Sequence, residues 1–160
     1  VLALPFSEPG IVSRALYDEP FLVAMPTGHP LCKSRSVSAE TLAAEQLLLL
    51  GQGNCFRDQV VQACPHLTDP GGLERSLEGS SLETLRHMVA SGAGVSVVPA
   101  AAVESWPRDE KLMTIRPFSQ PVPKRRVVLA WRVTFPRPLA IDALRAAILD
   151  APPAGVVALP

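Results

Sequence analysis

Two cysteines spaced nine residues apart are the side chains of this sequence best suited to chemistry. Cys55 follows Asn54, a good N-cap residue, so it should lie in the first turn of a helix, where free backbone N–H groups and the helix dipole favour an anion. Arg57 adds a cation two residues further on. Cys64 would lie in the last turn, where the dipole has the opposite sign. The pattern predicts a readily ionised thiol at Cys55 and a poorer nucleophile at Cys64.

The same spacing limits how the two thiols can react with each other. Nine residues of helix place Cys64 about half a turn out of phase with Cys55 and about 13 Å further along the axis. A disulfide requires Cα atoms within about 7 Å. A bond between them would therefore have to unwind the helix, as after oxidation of Cys55 to a sulfenic acid and its condensation with Cys64. Such a bond would act as a conformational switch.

Other interpretations of the cysteines compete with the switch. From spacing alone, two small buried hydrophobic side chains are the favoured interpretation. Neither thiol has a second Cys or His close by, and His29, His66 and His87 are scattered, so the sequence predicts no metal site and no cofactor. Cys32 is interpreted as a loop bystander. Three cysteines are an odd number, which argues against the disulfide framework of a secreted protein.

The elements that would position these residues alternate between strand and helix. Apolar runs predict strands at residues 21–25, 46–50, 95–99, 112–115 and 126–133. Helices are expected at residues 41–44 with Ser38 as cap, at 55–63, from a capping box at Ser80 and Glu83 to Gly92, and at 139–149. This alternation predicts an α/β fold with a mostly parallel sheet, followed by a loose tail at 151–160.

Composition excludes several classes of function. The 160 residues include 15 basic and 15 acidic side chains, so the net charge is zero, and 48% are hydrophobic, enough for a core. A balanced charge argues against this segment holding a nucleic-acid backbone, and its apolar runs are too short to span a bilayer. Trp106 and Trp131 are expected to be packing residues. The chain starts at Val1 without a secretory signal and is expected to be part of a longer protein.

Two segments together carry a family resemblance. They are Gly53-Asn54-Cys55-Phe56-Arg57-Asp58-Gln59, with Cys64 following, and Gly79-Ser80-Ser81-Leu82-Glu83-Thr84-Leu85-Arg86-His87-Met88-Val89-Ala90-Ser91-Gly92. This double motif resembles the hydrogen-peroxide-sensing members of the LysR-type transcription regulators. The likeness covers essentially the whole chain, including Asp18-Glu19-Pro20 and residues 125–132.

The resemblance implies a regulatory region of two α/β subdomains, similar to a periplasmic binding protein, with the chain crossing between them twice. Residues 18–124 would form a complete second subdomain, and residues 1–17 and 125–160 would be parts of the first. DNA would be bound by an N-terminal helix-turn-helix domain outside this chain. The implied partners are hydrogen peroxide, further subunits of a dimer or tetramer, and RNA polymerase, in the cytoplasm and without a membrane.

The resemblance also implies roles for individual residues. Cys55 would be the peroxidatic thiol and Cys64 the resolving one, with the disulfide reshaping residues 55–80 and so the subunit packing and promoter recognition of the parent. Arg57 and Asp58 would shape the motif around the thiolate, and Arg125 would reach it from the hinge. Asn54 stands where the family often has His, which favours a capping role. The threonines that hold peroxide would lie outside this chain.

Two further functions remain open at the level of sequence. A LysR-type effector domain could bind a small organic ligand in its cleft, with Ser80 and Ser81 as candidate contacts and the thiols incidental. A thiol peroxidase is disfavoured, because a Cys-X-X-Cys and a thioredoxin-like pattern are absent from the sequence. The expectation is therefore a regulator and not an enzyme.

Overall fold

A computed structural model of the chain describes residues 1–68, 76–107 and 111–159. It divides into two compact units, which are treated separately below. Unit 1 comprises Val1–Pro20 and Lys124–Pro160, and unit 2 comprises Phe21–Pro123.

The described residues form eight strands and five α-helices. The strands are β1 (Leu2–Ala3), β2 (Ile11–Pro26), β3 (Leu47–Leu50), β4 (Leu77–Gly79), β5 (Val95–Pro99), β6 (Met113–Pro117), β7 (Lys124–Arg132) and β8 (Val157–Ala158). The helices are α1 (Ala39–Ala43), α2 (Cys55–Ala63), α3 (Leu82–Ala90), α4 (Ala100–Glu104) and α5 (Pro138–Asp150). Short 3-10 helices cover Pro30–Lys33 and Pro65–Thr68. No helix among the described residues is both long enough and apolar enough to cross a membrane.

The sheet of unit 2 is mixed. β5 and β4 lie parallel to β3, on either side of it, whereas the last residues of β2 pair antiparallel with β5 and with β6. The α/β class is therefore confirmed, but the expectation of a mostly parallel sheet is wrong. Helical crossovers between β3, β4 and β5 return the chain in the same direction and so give parallel pairs. Direct pairing of β2 with β5 and β6 needs no such crossover.

The core of unit 2 explains why its central strands are apolar along their whole length. Every residue of β3 and of β5 is buried, as expected for strands covered on both faces. Phe21, Met25 and Leu42 are fully buried in the same cluster, and Trp106 packs against it. The predicted strands at 46–50 and 95–99 are thus confirmed to within a residue.

Unit 1 is an antiparallel ladder with a small core. β7 pairs with β1 and with residues 11–20 of β2, and β8 pairs with β2 at Tyr17 and Asp18. Leu16, Val127 and Leu129 are buried together, with Trp131 and residues of α5 packed against them. The packing role predicted for both tryptophans is confirmed. The tail at 151–160 is not wholly loose, because β8 belongs to this ladder.

The start of α3 corrects the predicted capping box. The N-cap is Ser81 and not Ser80, since Ser81 Oγ accepts from Thr84 N at 3.1 Å. Glu83 does not close a box, because its carboxylate pairs with Arg86 one turn further on. Ser80 instead forms a hydrogen bond with the Thr84 hydroxyl at 3.1 Å. A further correction concerns Cys32, which lies in a 3-10 helix and not in a loop.

Candidate functional site: the thiols of helix α2

Helix α2 follows directly from the carboxyl end of β3. The chain turns at Gly51, whose carbonyl accepts from Asn54 N at 3.2 Å, and passes through Gly53 at a φ of 83°. That φ favours glycine because it carries no Cβ. Asn54 Oδ1 then accepts from Phe56 N at 3.0 Å. The predicted capping role of Asn54 and the predicted limits of this helix are both confirmed.

The two thiols lie at opposite ends of the intact helix and in opposite environments. Cys55 is the first helical residue and is exposed, whereas Cys64 follows the last helical residue, Ala63, and is fully buried. Both are free thiols. At 1.5 Å per residue their positions differ by about 13 Å along the axis. The predicted separation along the helix is retained, but Cys64 caps the helix with a φ of −127° and does not lie in its last turn, as predicted.

Burial raises the pKa of the Cys64 thiol to about 11. The cause is the loss of hydration that would stabilise a thiolate. The raised pKa agrees with the prediction that Cys64 is a poor nucleophile in this state. The prediction rested on the helix dipole, however, whereas the structure shows burial as the cause. Cys64 also anchors the chain that follows, because its carbonyl accepts from Leu67 N at 3.0 Å and Leu67 is fully buried.

Arg57 is buried and bonded to the two neighbouring strands. Its Nη1 donates to the Leu50 carbonyl at 2.9 Å and to Glu78 Oε1 at 3.0 Å. These contacts hold the guanidinium against β3 and β4. Sequence reasoning missed Glu78, because an isolated acidic residue 21 positions away has no spacing signal that links it to Arg57.

The remaining predicted site residues are only partly brought together. Asp58 is exposed in the first turn of α2, close in sequence to Asn54, Cys55 and Arg57. Arg125 belongs to β7 in unit 1, where its Nε donates to Glu19 Oε2 at 2.7 Å and Glu19 is buried. The roles that the resemblance gives to Asp58 and Arg125 stay predictions.

Two other sets of candidates have local partners. Ser80 and Ser81 each form a hydrogen bond with the Thr84 hydroxyl, at 3.1 and 3.0 Å, within the start of α3. The histidines lie beside acidic residues: His29 beside Glu45, His66 beside Glu40 and His87 beside Glu83. Within the described ranges, no group of three or more His, Cys, Asp or Glu side chains is arranged to hold a metal ion.

Comparison with known proteins defines the family. The model of the LysR substrate binding domain matches residues 1–153. The chain therefore belongs to the LysR substrate-binding domain family.

Two similar curated proteins have names that describe gene regulators. A probable hydrogen peroxide-inducible genes activator of Streptomyces viridosporus is 35% identical over 94% of this chain and 48% of the relative. The DNA-binding transcriptional dual regulator OxyR of Escherichia coli K12 is 35% identical over 85% of this chain and 44% of the relative. The chain spans less than half the length of these two curated relatives.

Solved structures give the same result at the level of fold. A reduced form of OxyR from Neisseria meningitidis is 47% identical, with a TM-score of 0.88, and the match covers 99% of this chain and 74% of that one. The reduced OxyR regulatory domain from Pseudomonas aeruginosa is 50% identical, with a TM-score of 0.80, over 93% of this chain and 70% of that one. The fold is that of OxyR regulatory domains.

Proposed function

We propose that this chain is the redox-sensing regulatory region of a LysR-type transcription regulator, in which hydrogen peroxide oxidises Cys55 and a disulfide then forms with Cys64. The observation that supports this most strongly is the placement of an exposed and a buried thiol at the two ends of one helix. The resemblance to OxyR proteins supports the choice of oxidant.

The chemistry proceeds in two balanced steps. The Cys55 thiolate attacks one peroxide oxygen, so that an S–O bond forms, the O–O bond breaks and the second oxygen leaves as hydroxide, which is protonated to water. The Cys64 sulfur then attacks the Cys55 sulfur, the S–O bond breaks, and a second water leaves. Two thiols lose two electrons in total, and one peroxide is reduced to two waters. Asn54 caps the helix that presents Cys55, while Arg57 and Asp58 shape the loop and first turn around it.

The second step requires a conformational change. The thiols are about 13 Å apart along an intact helix, and a disulfide tolerates a Cα separation of about 7 Å at most. Helix α2 must therefore open, and the change extends through residues 55–80, of which 69–75 lie outside the described residues. In the parent protein this change alters the packing of subunits in a homo-oligomer, and with it the recognition of DNA and the contact with RNA polymerase.

In this proposal the two units have the roles of the two regulatory subdomains. Unit 2 is the second subdomain and contains the thiol pair. Unit 1 belongs to the first subdomain. The DNA-binding activity, the oligomeric state and the cytoplasmic location are those of the parent protein.

Peptide mapping by mass spectrometry tests the proposal. The reduced parent protein, which includes the region expected to hold peroxide, is treated with one equivalent of hydrogen peroxide, digested and searched for a Cys55–Cys64 bond. The bond is expected in the wild type and in the matched control Cys32→Ser, and it should be absent from Cys55→Ser. In Cys64→Ser, dimedone should trap a sulfenic acid at Cys55. Failure to find either product in the wild type and in Cys64→Ser would refute the proposal.

The competing function is an effector domain for a small organic ligand, which the name of the matched family describes as substrate binding. It predicts a rise in melting temperature with that ligand, and the rise should be unaffected by Cys55→Ser. Catalytic turnover of peroxide with a thiol reductant would instead indicate a peroxidase.

A further inference from the structure

We propose that Glu78 is a positioning residue for the thiol switch: through Arg57 it holds the first turn of α2 in the helix and restrains the opening that a Cys55–Cys64 disulfide requires. This inference rests on the proposed function. Glu78 touches neither thiol-bearing residue in this role and acts through the guanidinium of Arg57.

The contact between Arg57 and Glu78 joins the first turn of α2 to strand β4. Arg57 is the third residue of the helix, and its side chain is only 10% exposed. Its Nη1 is shared between the Leu50 carbonyl and Glu78 Oε1, at 2.9 and 3.0 Å. Leu50 is the last residue of β3, and Glu78 is the middle residue of β4, the strand parallel to it. One guanidinium therefore fixes the helix start to both strands.

The second carboxylate oxygen of Glu78 covers the turn that leads into the helix. Glu78 Oε2 lies 3.5 Å from the position that a Cβ on Gly51 would occupy. The turn from Gly51 to Asn54 sets the N-cap, and the N-cap determines where Cys55 sits. The same carboxylate therefore lies beside the turn before Cys55 and accepts a hydrogen bond from the arginine after it.

The energetic case follows from charge and burial. A hydrogen bond between a guanidinium and a carboxylate is stronger than a neutral one. Without the Glu78 carboxylate, the nearly buried guanidinium of Arg57 would keep only its hydrogen bond to the Leu50 carbonyl. Burying an uncompensated charge in this way is unfavourable. Because the Glu78 side chain is 47% exposed, solvent screening limits the size of the effect.

Both ends of α2 carry residues that belong to the core of unit 2. At the far end, Val60, Cys64 and Leu67 are at most 1% exposed. At the near end, Cys55 and Asp58 are exposed. Displacement of the first turn uncovers Phe56, which is 6% exposed and packs edge-on against Phe21 with ring centroids 5.4 Å apart. It also breaks the contact between Arg57 and Glu78, which is why this contact restrains the switch.

Hydrogen exchange in the reduced chain tests this restraint without any disulfide. Glu78→Ala is expected to speed the exchange of α2 amides at residues 57–60 by about three- to tenfold and to leave α3 amides unchanged. Glu83→Ala is the matched control, because Glu83 also accepts from an arginine, Arg86 Nε at 2.9 Å, but within α3. Equal α2 exchange in Glu78→Ala and the wild type would overturn the inference.

The thiol–disulfide equilibrium in glutathione buffers tests the consequence for the switch. Glu78→Ala is expected to shift the equilibrium about three- to tenfold toward the Cys55–Cys64 disulfide, whereas Glu83→Ala should match the wild type. Glu78→Asp, which keeps the charge, should lie between them. A contact that is merely structural would lower the melting temperatures of reduced and oxidised forms equally and leave this equilibrium unchanged.

The two measurements separate failure of the inference from failure of the proposed function. If the wild type forms no such disulfide but Glu78→Ala still loosens α2, the redox function is wrong and the positioning of α2 by Glu78 stands. If the disulfide forms equally in both chains, the redox function stands and the role of Glu78 is wrong.

Discussion

At the scale of single residues, the structure makes the two thiols of α2 chemically unequal. Cys55 is exposed in the first helical turn, and Cys64 is fully enclosed in the core of unit 2. In the proposed switch, this difference in exposure determines the order in which the two thiols react. The exposed sulfur meets the oxidant, and the enclosed sulfur reacts only after the helix has opened.

The raised pKa of Cys64 predicts a specific dependence of stability on pH. The ordinary thiol pKa is 9.0, and burial raises that of Cys64 to about 11. Folding therefore favours the protonated thiol, so this contribution is fully present below pH 9 and is lost as pH rises from 9 toward 11. The loss should reach about 2–3 kcal/mol by the upper end of that range.

Urea titrations of the reduced chain measure that loss. The comparison is between pH 8 and pH 10.5, with Cys64→Ala as the control that removes the titrating group. The control should show a smaller fall in the free energy of unfolding over this interval, because it lacks the Cys64 thiol. Some fall remains, because other ionisable groups titrate in both chains. Identical falls would mean that Cys64 is not held in its protonated form by the fold.

Sequence reasoning could identify some of these residues but not their contacts. Asn54 could be assigned as an N-cap because capping depends on a side chain and an amide two or three residues away. Glu78 could not be linked to Arg57, because their contact depends on β3 and β4 lying side by side. The interpretation of both cysteines as buried hydrophobic side chains is correct for Cys64 and wrong for Cys55, which is exposed.

At the scale of elements, strongly patterned segments were predicted well, short ones were missed, and the strand predicted at 21–25 is the end of a longer strand, Ile11–Pro26, whose first part alternates polar and apolar residues too irregularly to be recognised. The helix at Cys55–Ala63 and the strand at Val95–Pro99 match their predicted limits. β1, β4, β8 and α4 were missed, because two to five residues are too few to show a periodicity. The cap of α3 was misplaced by one position, since either of two adjacent serines can serve.

The ladder between β2 and β7 in unit 1 contains a carboxylate bonded to two basic side chains, and the contribution of these bonds to stability can be measured. Arg126 donates to Asp18 at 2.8 Å and Lys124 donates at 2.7 Å. The hydrogen bond from Arg126, assisted by Lys124 and opposed by burial, lowers the pKa of Asp18 from 3.8 to about 2. The stability gained from this shift is present above pH 4 and is lost as pH falls toward 2.

Asp18→Asn is therefore expected to lower the free energy of unfolding at pH 7 by about 1–2 kcal/mol, a value reduced for the solvent exposure of both basic partners. The difference from the wild type should shrink as the pH of the urea titration falls from 4 toward 2. A matched control is Asp142→Asn, which removes the exposed pair with Arg14 and should cost less than about 0.5 kcal/mol. A difference that stays constant with pH would contradict the assignment.

At the scale of the whole molecule, the class of fold was predictable and the topology was not. Alternation of strands and helices indicated an α/β protein. The antiparallel pairing of β2 with β5, β6 and β7 depends on contacts between segments far apart in the chain, for which no local pattern exists. No local pattern indicated the division into units either; a division at residues 18 and 124 was expected only from the family resemblance.

Strand β2 is shared by the two units, and this predicts a gradient of protection along one element. Its first ten residues belong to unit 1, whose described buried cluster has three members, Leu16, Val127 and Leu129. Its last six residues belong to the far larger core of unit 2. Local opening is easier where less apolar surface is buried.

Hydrogen exchange should therefore be faster for hydrogen-bonded amides in residues 11–20 than in residues 21–26. Leu16→Ala should increase the difference in exchange rate between these two parts of β2, because it removes buried apolar surface from unit 1. Leu42→Ala, in unit 2, is the matched control and should reduce it. Uniform protection along the strand would show that the two units open together.

The two tryptophans give each unit its own optical reporter. Trp131 lies in β7 of unit 1 and Trp106 packs against the core of unit 2. Trp106→Phe leaves an emission signal from unit 1 alone, and Trp131→Phe leaves one from unit 2 alone. Stopped-flow recording of both variants after mixing with peroxide would show in which unit the change in environment begins, and how long it takes to reach the other.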